Sequence, residues 1–466
     1  MDRVGRKTGA LLGLVTGAVV VGLWCTSVRA PAPERQEAAI PSEASEGGTE
    51  GLRREADAFA QQALEALRAA GVRGELRYEP EQFRILVPEL EGQHGQTLNL
   101  GNFFNEYMSR PPERRAEALE RLVRFSASPP EDPETYAAAR SALLPVVRPR
   151  VYFELLSLQE RAGPDDGGVK EGGEFVTWEP LGGVLARALV VDTPEAMRFV
   201  NPEALSKWGV TFEQASEEAL ANLRRRQSPE DGEGLVPMAP GTCRATWRDS
   251  YGSSRMLLEE VWRKCPVRGD AVVVVPNRDV FFVTGSSDEE GLLQVAELAL
   301  RAYEVPRPVD GRALRRTAQG WEPFLPPKGS KPWLAFRKLL VESQRREYEA
   351  QTEGLRAWYQ QRGADLFVAD FIPYEDEHGN SFSQAVWVRD MDTLLPKVDM
   401  VLFMDSRRGP EAPPVAVVRW DVVERDIGGL LAREEGLYPV RYRLKAFPSE
   451  EQLARWKKDP SVMDVP

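Results

Sequence analysis

Hydroxyls, a carboxylate and a guanidinium occur together in the run Asp249-Ser250-Tyr251-Gly252-Ser253-Ser254-Arg255. These groups could form a ligand pocket or an activated nucleophile at a helix start, where free N–H groups attract anions. The alternative is that Ser250 or Ser253 simply caps a helix predicted from Ser253 to Lys264, since Ser and Asp are ordinary helix-start residues. We expect capping, and we keep Asp249, Ser250 and Arg255 as catalytic candidates and Tyr251 as a ligand-binding candidate.

A second polar pair, Arg278-Asp279, lies between two apolar runs that predict strands. Pro276-Asn277 before it is good turn chemistry, so a turn explains the pair without any function. The functional alternative places Asp279 near Asp249 and Ser250 in a hydrolase site, with Arg278 binding the ligand.

Histidine offers little support for such a hydrolase. The chain has two histidines, His94 and His378, which fall in separate predicted domains. A nucleophile needs its base within hydrogen-bond reach, and no GxSxG turn presents a serine. The run Asp376-Glu377-His378-Gly379-Asn380 could bind a cation, but it lacks the alternating spacing and terminal Glu of a calcium loop. We therefore predict no metal and no cofactor.

Cys243 and Cys265 are the two cysteines beyond the N-terminal region. In an oxidising compartment they could form one disulfide, worth about 3 kcal/mol in the chain-entropy model. The alternative is a pair of buried thiols, because sequence does not fix the distance between the two Cα atoms. Both remain open at this stage.

Composition limits the partners. The 466 residues are 42% hydrophobic and 28% charged, with a formal net charge of -12. Residues 1–30 carry four basic side chains and one acidic one, a net +3, so the remainder carries -15. A body this acidic repels phosphate backbones, which argues against nucleic acid as a partner.

The N-terminus predicts export. Arg3, Arg6 and Lys7 precede an uncharged apolar run, residues 9–24, that would enter the membrane with the basic flank left in the cytoplasm. We favour an uncleaved anchor within residues 1–30; the alternative is a signal peptide, although Pro31 is expected to hinder cleavage after Ala30. Residues 31–50, rich in Pro, Glu, Ala, Ser and Gly, predict a disordered tether.

The remaining chain predicts an α+β fold, with mixed sheets and packed amphipathic helices. Within it, a helix is expected over Tyr136–Leu144 and a strand over Val151–Leu156. Short links favour antiparallel pairing of the last strands. The predicted parts are an N-terminal α+β region, 51–157, a second one, 185–305, a proline-rich connector, 306–332, and a C-terminal antiparallel-sheet α+β domain, 333–466.

Two blocks resemble the DUF1444 family of YtpQ-like bacterial proteins over roughly residues 55–310. The first is Leu98-Asn99-Leu100 with Asn102, Tyr107 and Pro112-Glu113-Arg114-Arg115-Ala116-Glu117; the second is Val191-Asp192-Thr193-Pro194-Glu195-Ala196-Met197-Arg198 with Trp208-Gly209-Val210, Asp249-Ser250-Tyr251 and Pro276-Asn277-Arg278-Asp279. The resemblance implies no established activity, so it transfers no catalytic residue. The anchor and residues 316–466 lie outside it.

These patterns favour a membrane-tethered, extracytoplasmic, non-enzymatic binding or assembly module. Its expected contacts are the membrane, through residues 9–24, and an envelope protein. The alternative is a hydrolase with Asp249, Ser250, Arg255 and Asp279.

Overall fold

The protein is represented by a computed structural model that describes residues 46–80, 83–88, 96–127, 133–161, 176–193, 197–226, 234–247, 249–305, 307–409 and 412–463. Helices account for 43% and strands for 28%, so the predicted α+β class is confirmed. The chain divides into two compact units, residues 1–130 and 131–466. The predicted anchor lies outside the described residues, and none of the described helices is long and apolar enough to cross a bilayer.

The first unit contains three helices and a small antiparallel sheet with the strand order β1-β2-β3. Its elements are α1 (Glu46–Ala69), β1 (Arg77–Glu79), β2 (Arg84–Val87), β3 (Gln96–Asn99), α2 (Gly101–Ser109), a 3-10 turn (Pro112–Arg114) and α3 (Ala116–Ala127). Phe59, Ala63 and Leu67 recur at helical spacing on α1 and are fully buried, with Ile85 and Leu98 of the sheet in the same core.

The second unit begins with a smaller sheet and the helices next to it. These elements are α4 (Tyr136–Ala139), a 3-10 turn (Arg140–Ala142), β4 (Leu143–Pro149), α5 (Arg150–Arg161), β5 (Trp178–Leu181), β6 (Leu185–Asp192), β7 (Met197–Phe199), α6 (Pro202–Trp208) and α7 (Phe212–Arg225). The strand order is β4-β6-β5, with β7 also paired to β6, and all these pairs are antiparallel.

A six-stranded antiparallel sheet follows, in the order β13-β12-β10-β11-β9-β8. Its elements are β8 (Leu235–Ala239), β9 (Thr242–Ala245), a 3-10 turn (Ser253–Leu257), α8 (Glu259–Trp262), β10 (Ala271–Asn277), β11 (Val280–Gly285), α9 (Glu289–Tyr303), β12 (Pro308–Thr317) and β13 (Gly320–Phe324). Every residue of β10 is buried, because its alternate side chains enter two different cores. Val272 and Val274 pack with Leu292, whereas Val273 and Val275 belong to the cluster that contains β4.

The rest of the second unit is a long helix followed by two four-stranded sheets, β14-β17-β21-β20 and β15-β16-β18-β19. The elements are α10 (Trp333–Gln361), β14 (Phe367–Val368), β15 (Ile372–Glu375), β16 (Ser381–Val388), β17 (Thr393–Pro396), β18 (Met400–Met404), a 3-10 turn (Ser406–Arg408), β19 (Ala416–Arg419), α11 (Trp420–Ile427), a 3-10 turn (Gly428–Leu430), β20 (Leu431–Arg433), β21 (Arg441–Leu444), α12 (Glu450–Lys458) and a 3-10 turn (Pro460–Met463).

Two local predictions are wrong in a way that matters for the site. The strand expected over Val151–Leu156 belongs to α5, and the helix expected over Tyr136–Leu144 stops early because β4 begins at Leu143. The apolar run of β4 is buried over Leu143–Arg148 and pairs along β6, so tertiary pairing decided its conformation. Short apolar runs are ambiguous between helix and strand for this reason.

Several boundaries also differ from expectation. Residues 46–50, expected in the tether, form the start of α1, as a helix anchored by a buried face can extend into polar sequence. The connector expected to be irregular contains β12 and β13, whose ladder runs from Ala313 to Thr317. The C-terminal sheets are mixed rather than purely antiparallel, because β14 pairs parallel with β17, and β16 with β18.

Candidate functional site

Asp249 and Arg255 form a bidentate ion pair inside the second unit. The Arg255 Nη1 and Nη2 atoms lie 2.8 Å and 2.6 Å from the two carboxylate oxygens of Asp249. Arg255 is fully buried, its guanidinium carbon lies 4.6 Å from the centre of the Trp247 ring, and Nη2 also donates to the Arg226 carbonyl. These contacts hold the Asp249–Arg255 segment in one conformation.

The ion pair makes Asp249 a poor general base. Burial raises the pKa of Asp249, but the Arg255 guanidinium and the Tyr251 backbone N–H lower it more strongly, so the net pKa lies below the ordinary value. A carboxylate stabilised in its charged form in this way has little tendency to accept a proton near neutral pH. The geometry gives Asp249 a structural role.

The serines of the segment neither cap a helix nor meet a base. The 3-10 turn over Ser253–Leu257 has no side-chain cap, so the expected capping by Ser250 or Ser253 is wrong. Ser250 instead adopts a left-handed backbone with φ of 65°, and the buried Ser253 hydroxyl has no hydrogen-bond partner within the described ranges. His378, the histidine that the structure describes, is exposed next to Glu377 on the β15–β16 hairpin; His94 lies outside the described residues.

The structure brings this segment into contact with the Arg278-Asp279 turn between β10 and β11. The Ser253 N–H donates to the Arg278 carbonyl across 2.9 Å. Gly252 packs so closely on the turn that an added Cβ would lie 2.4 Å from the Asp279 carbonyl oxygen. Asp279 is itself held by Arg307, whose Nη2 lies 2.5 Å from its Oδ2. The candidate catalytic carboxylates, Asp249 and Asp279, are therefore both bound to arginines.

A disulfide bond closes a loop that contains the Asp249–Arg255 segment. Cys243, in β9, and Cys265, just after α8, are bonded, with their Cα atoms 6.0 Å apart. Of the two alternatives left open by the sequence, the structure contains the disulfide. The closed loop includes Asp249 and Arg255, so one covalent link holds both ends of the chain that builds this part of the site.

Arg148 is the residue that sequence inspection missed. It lies in β4, within an otherwise apolar run, and is only 4% exposed. Its pKa is lowered to about 9, mainly by burial and to a smaller extent by the positive charges of Arg278 and Arg307. Burial and Arg307 likewise lower the pKa of Arg278. The one available signal was an arginine interrupting a buried strand, because such a charge demands a partner.

We call Arg148, Arg278 and Arg307 the arginine cluster. The Arg278 backbone N–H donates to the Arg307 carbonyl across 3.2 Å, which joins two of its members directly. The Val147 N–H donates to the Ser254 hydroxyl across 3.3 Å, which fixes the strand that carries Arg148 to the turn at Ser253–Leu257. Among the described residues, Asp279 is the carboxylate paired with a member of this cluster.

Tyr251 and Tyr152 border the arginine cluster. Tyr251 is buried, and its pKa is raised first by burial and then by the Asp192 carboxylate. Tyr152, in the first turn of α5, is 38% exposed and stacks obliquely against Phe199. The cluster thus has one buried aromatic wall and one aromatic side chain that reaches solvent.

The described residues contain no group of three or more histidine, cysteine or acidic side chains placed to hold a metal ion. The Asp376–Asn380 run, which the sequence offered as a possible cation site, lies in the β15–β16 hairpin. There the Asp376 carboxylate accepts hydrogen bonds from the backbone N–H groups of His378 and Asn380 and from the Asn380 side chain. Comparison with known proteins gave no match to a protein-family model, a curated protein or a solved structure.

Proposed function

We propose that this protein is a membrane-tethered, extracytoplasmic binding module rather than an enzyme, with a body related to DUF1444 proteins over roughly residues 55–310. The Cys243–Cys265 disulfide carries the proposal, because disulfides persist in oxidising compartments and are rare in the cytosol. The basic flank and apolar run of residues 9–24 support the same topology.

Binding is favoured over hydrolysis because the acid–base candidates are already engaged. Asp249 and Asp279 each hold an arginine, and Ser250 has no histidine beside it among the described residues. A hydrolase would need at least one of these groups poised to accept a proton. What the site does offer is a set of hydrogen-bond donors in fixed positions.

The tether is tested by membrane extraction. Membranes from cells that express the full chain are washed with alkaline carbonate, and the N-terminal peptide of the retained protein is identified by mass spectrometry. The protein should stay in the pellet with residues 9–24 intact, whereas a matched variant without residues 9–24 should leave it. A wild-type chain recovered in the wash would overturn the anchor, and loss of the N-terminal peptide would establish cleavage instead.

The binding role is tested by cross-linking on intact cells with a membrane-impermeant amine reagent, followed by identification of the attached proteins. A reproducible envelope partner should appear with the wild-type chain and not with the variant that lacks residues 9–24. Repeated absence of any partner would remove the assembly role and leave small-molecule binding as the remaining form of the proposal.

A further inference from the structure

The strongest unexplained feature of the molecule is an excess of positive charge around the arginine cluster. Five arginines and three aspartates lie in this neighbourhood, and three ion pairs use all the carboxylates: Arg226 with Asp192, Arg255 with Asp249, and Arg307 with Asp279. Neither Arg148 nor Arg278 forms an ion pair with a carboxylate among the described residues, although the Asp279 carboxylate, paired with Arg307, also acts on Arg278 from a distance. Two positive charges in a largely buried place are costly unless an anion compensates them.

Another buried arginine of the same chain shows what a purely structural solution looks like. Arg441 is fully buried and also lacks a carboxylate, but its fork is saturated by neutral acceptors. It donates to the Gln351 side chain, the Ala369 and Leu394 carbonyls and the Thr352 hydroxyl, at 2.6–3.1 Å. Such a network satisfies the guanidinium without any ligand.

Arg148 has no such network. Among the described residues, its side chain donates one hydrogen bond, from Nη1 to the carbonyl of the preceding Val147, at 2.8 Å. The Nε of Arg278 is buried and has no hydrogen-bond partner in the part of the chain that the structure describes. Guanidinium groups present five donors, so most of the donors on these two side chains are uncommitted within the described residues.

The surroundings hold these donors in place. Arg278 N–H donates to the Arg307 carbonyl, and Ser253 N–H donates to the Arg278 carbonyl, which joins the β10–β11 turn to the residue before β12 and to the Ser253–Leu257 turn. The end of β4 is joined to the Ser253–Leu257 turn by the hydrogen bond from Val147 N–H to the Ser254 hydroxyl. The Arg307 side chain is 33% exposed, so the cluster reaches solvent at this edge. Pre-positioned donors lose little entropy when an anion arrives.

We propose that Arg148 and Arg278, with Arg307 at the edge, bind a phosphate group. An excess of two positive charges matches a phosphate monoester or inorganic phosphate, and arginine forks fit phosphate oxygens in pairs. This inference names a ligand class for the proposed binding function and rests on it, but it does not depend on the compartment. The same chemistry could come from a lipid phosphodiester, so the test distinguishes the two sources.

The test is calorimetric titration of the purified full-length protein with inorganic phosphate, with sodium chloride of equal ionic strength as the blank. The wild type should bind phosphate saturably, and Arg148→Met and Arg278→Met should each weaken binding by about tenfold or more, the loss expected for a charged hydrogen-bonding partner. Arg224→Met is the matched control, because Arg224 is exposed and pairs with Glu260. It should bind like the wild type.

A folding check, a lysine variant and a second ligand complete the titration experiment. Circular dichroism checks folding, and Arg278→Lys, which keeps the charge but loses the fork, should bind phosphate more weakly than the wild type. Soluble glycerophosphoglycerol replaces phosphate in a parallel titration: weaker binding identifies a monoester or free phosphate as the ligand, and equal or tighter binding identifies a lipid headgroup. Absence of saturable binding to either compound, or unchanged binding by both methionine variants, would overturn the phosphate site.

Failure of this test and failure of the proposed function are separable. A protein that ignores phosphate but cross-links to an envelope partner keeps the binding role and loses only the phosphate ligand. A protein that binds phosphate but is found inside the cytoplasm keeps the site and loses the location.

Discussion

Replacing Arg148 with methionine should stabilise the protein when no anion is bound. In the folded state burial, together with the charges of Arg278 and Arg307, lowers the pKa of Arg148 from about 12.5 to about 9, and at neutral pH the side chain is charged both folded and unfolded. At 1.36 kcal/mol per unit, the cost of keeping this charge buried reaches about 5 kcal/mol as an upper bound. Methionine removes that cost, at the loss of one hydrogen bond to the Val147 carbonyl worth about 1 kcal/mol.

Relaxation around the charge reduces this upper bound. We therefore expect Arg148→Met to raise the free energy of unfolding by about 1–3 kcal/mol, within the range found when buried charges are replaced by apolar side chains. The assay is urea denaturation of the purified full-length protein, followed by tryptophan fluorescence, in phosphate-free buffer. Added phosphate should then stabilise the wild type more than the variant at the same concentration, because the stabilisation by a ligand that binds only the folded state increases with its affinity.

Arg441→Met provides the contrast. Burial also lowers the pKa of this arginine, to about 10, so methionine removes a charge-burial cost here as well. Its removal leaves the Gln351 and Thr352 side chains and two backbone carbonyls without their donor, at about 1–3 kcal/mol each, so a net loss of about 3 kcal/mol is expected. The opposite result would be that Arg148→Met destabilises the protein as strongly as Arg441→Met does, with and without phosphate. Arg148 would then be a structural cation.

Substitutions at three places in the site should each lower the stability of the protein. Exchange of Cys243 and Cys265 for alanine should lower stability by about 3 kcal/mol in urea denaturation, and reductant should bring the wild type to the same level but leave the variant unchanged. Asp249→Asn leaves a buried arginine unpaired and should cost about 3 kcal/mol at neutral pH. In the folded state the pKa of Asp249 lies below its ordinary 3.8. The stability that its charge contributes is therefore present above pH 3.8 and is lost as the pH falls through the folded-state pKa. Between about pH 5 and about pH 3, the melting temperature should fall less steeply in the variant than in the wild type. Gly252→Ala should cost about 1–3 kcal/mol in the same assay, because the new Cβ would clash with the Asp279 carbonyl, and an unchanged melting temperature would contradict this packing.

The features that were predictable from sequence are those set by local spacing. The buried face of α1 repeats at helical intervals through Phe59, Ala63 and Leu67, and its burial follows directly. The capping box at Thr211 and Gln214 is a reciprocal pair of short-range hydrogen bonds, and both form. The α+β class depends on many such segments, so single errors did not change it.

The features that were not predictable depend on long-range pairing. The strand that carries Arg148 is not predicted from sequence, and its first two residues fall in the helix expected over Tyr136–Leu144, because its conformation is decided by its ladder with β6 rather than by its own residues. The disulfide could not be assigned either, since the Cα separation of 6.0 Å is a tertiary property. Contact between the Gly252 and Asp279 backbones likewise joins two loops that are distant in sequence.

Thiol labelling in spheroplasts tests whether the protein is extracytoplasmic and disulfide-bonded. In a Cys25→Ser background, Glu377→Cys places a reporter at a position whose side chain is 79% exposed, and a membrane-impermeant maleimide is added before lysis. After lysis in denaturant, the peptides with Cys243 and Cys265 are alkylated before and after reduction and identified by mass spectrometry. We expect the reporter to be labelled in unbroken spheroplasts and the two native cysteines to react only after reduction. A reporter labelled only after lysis, with both native cysteines free before reduction, would contradict an extracytoplasmic, disulfide-bonded binding module.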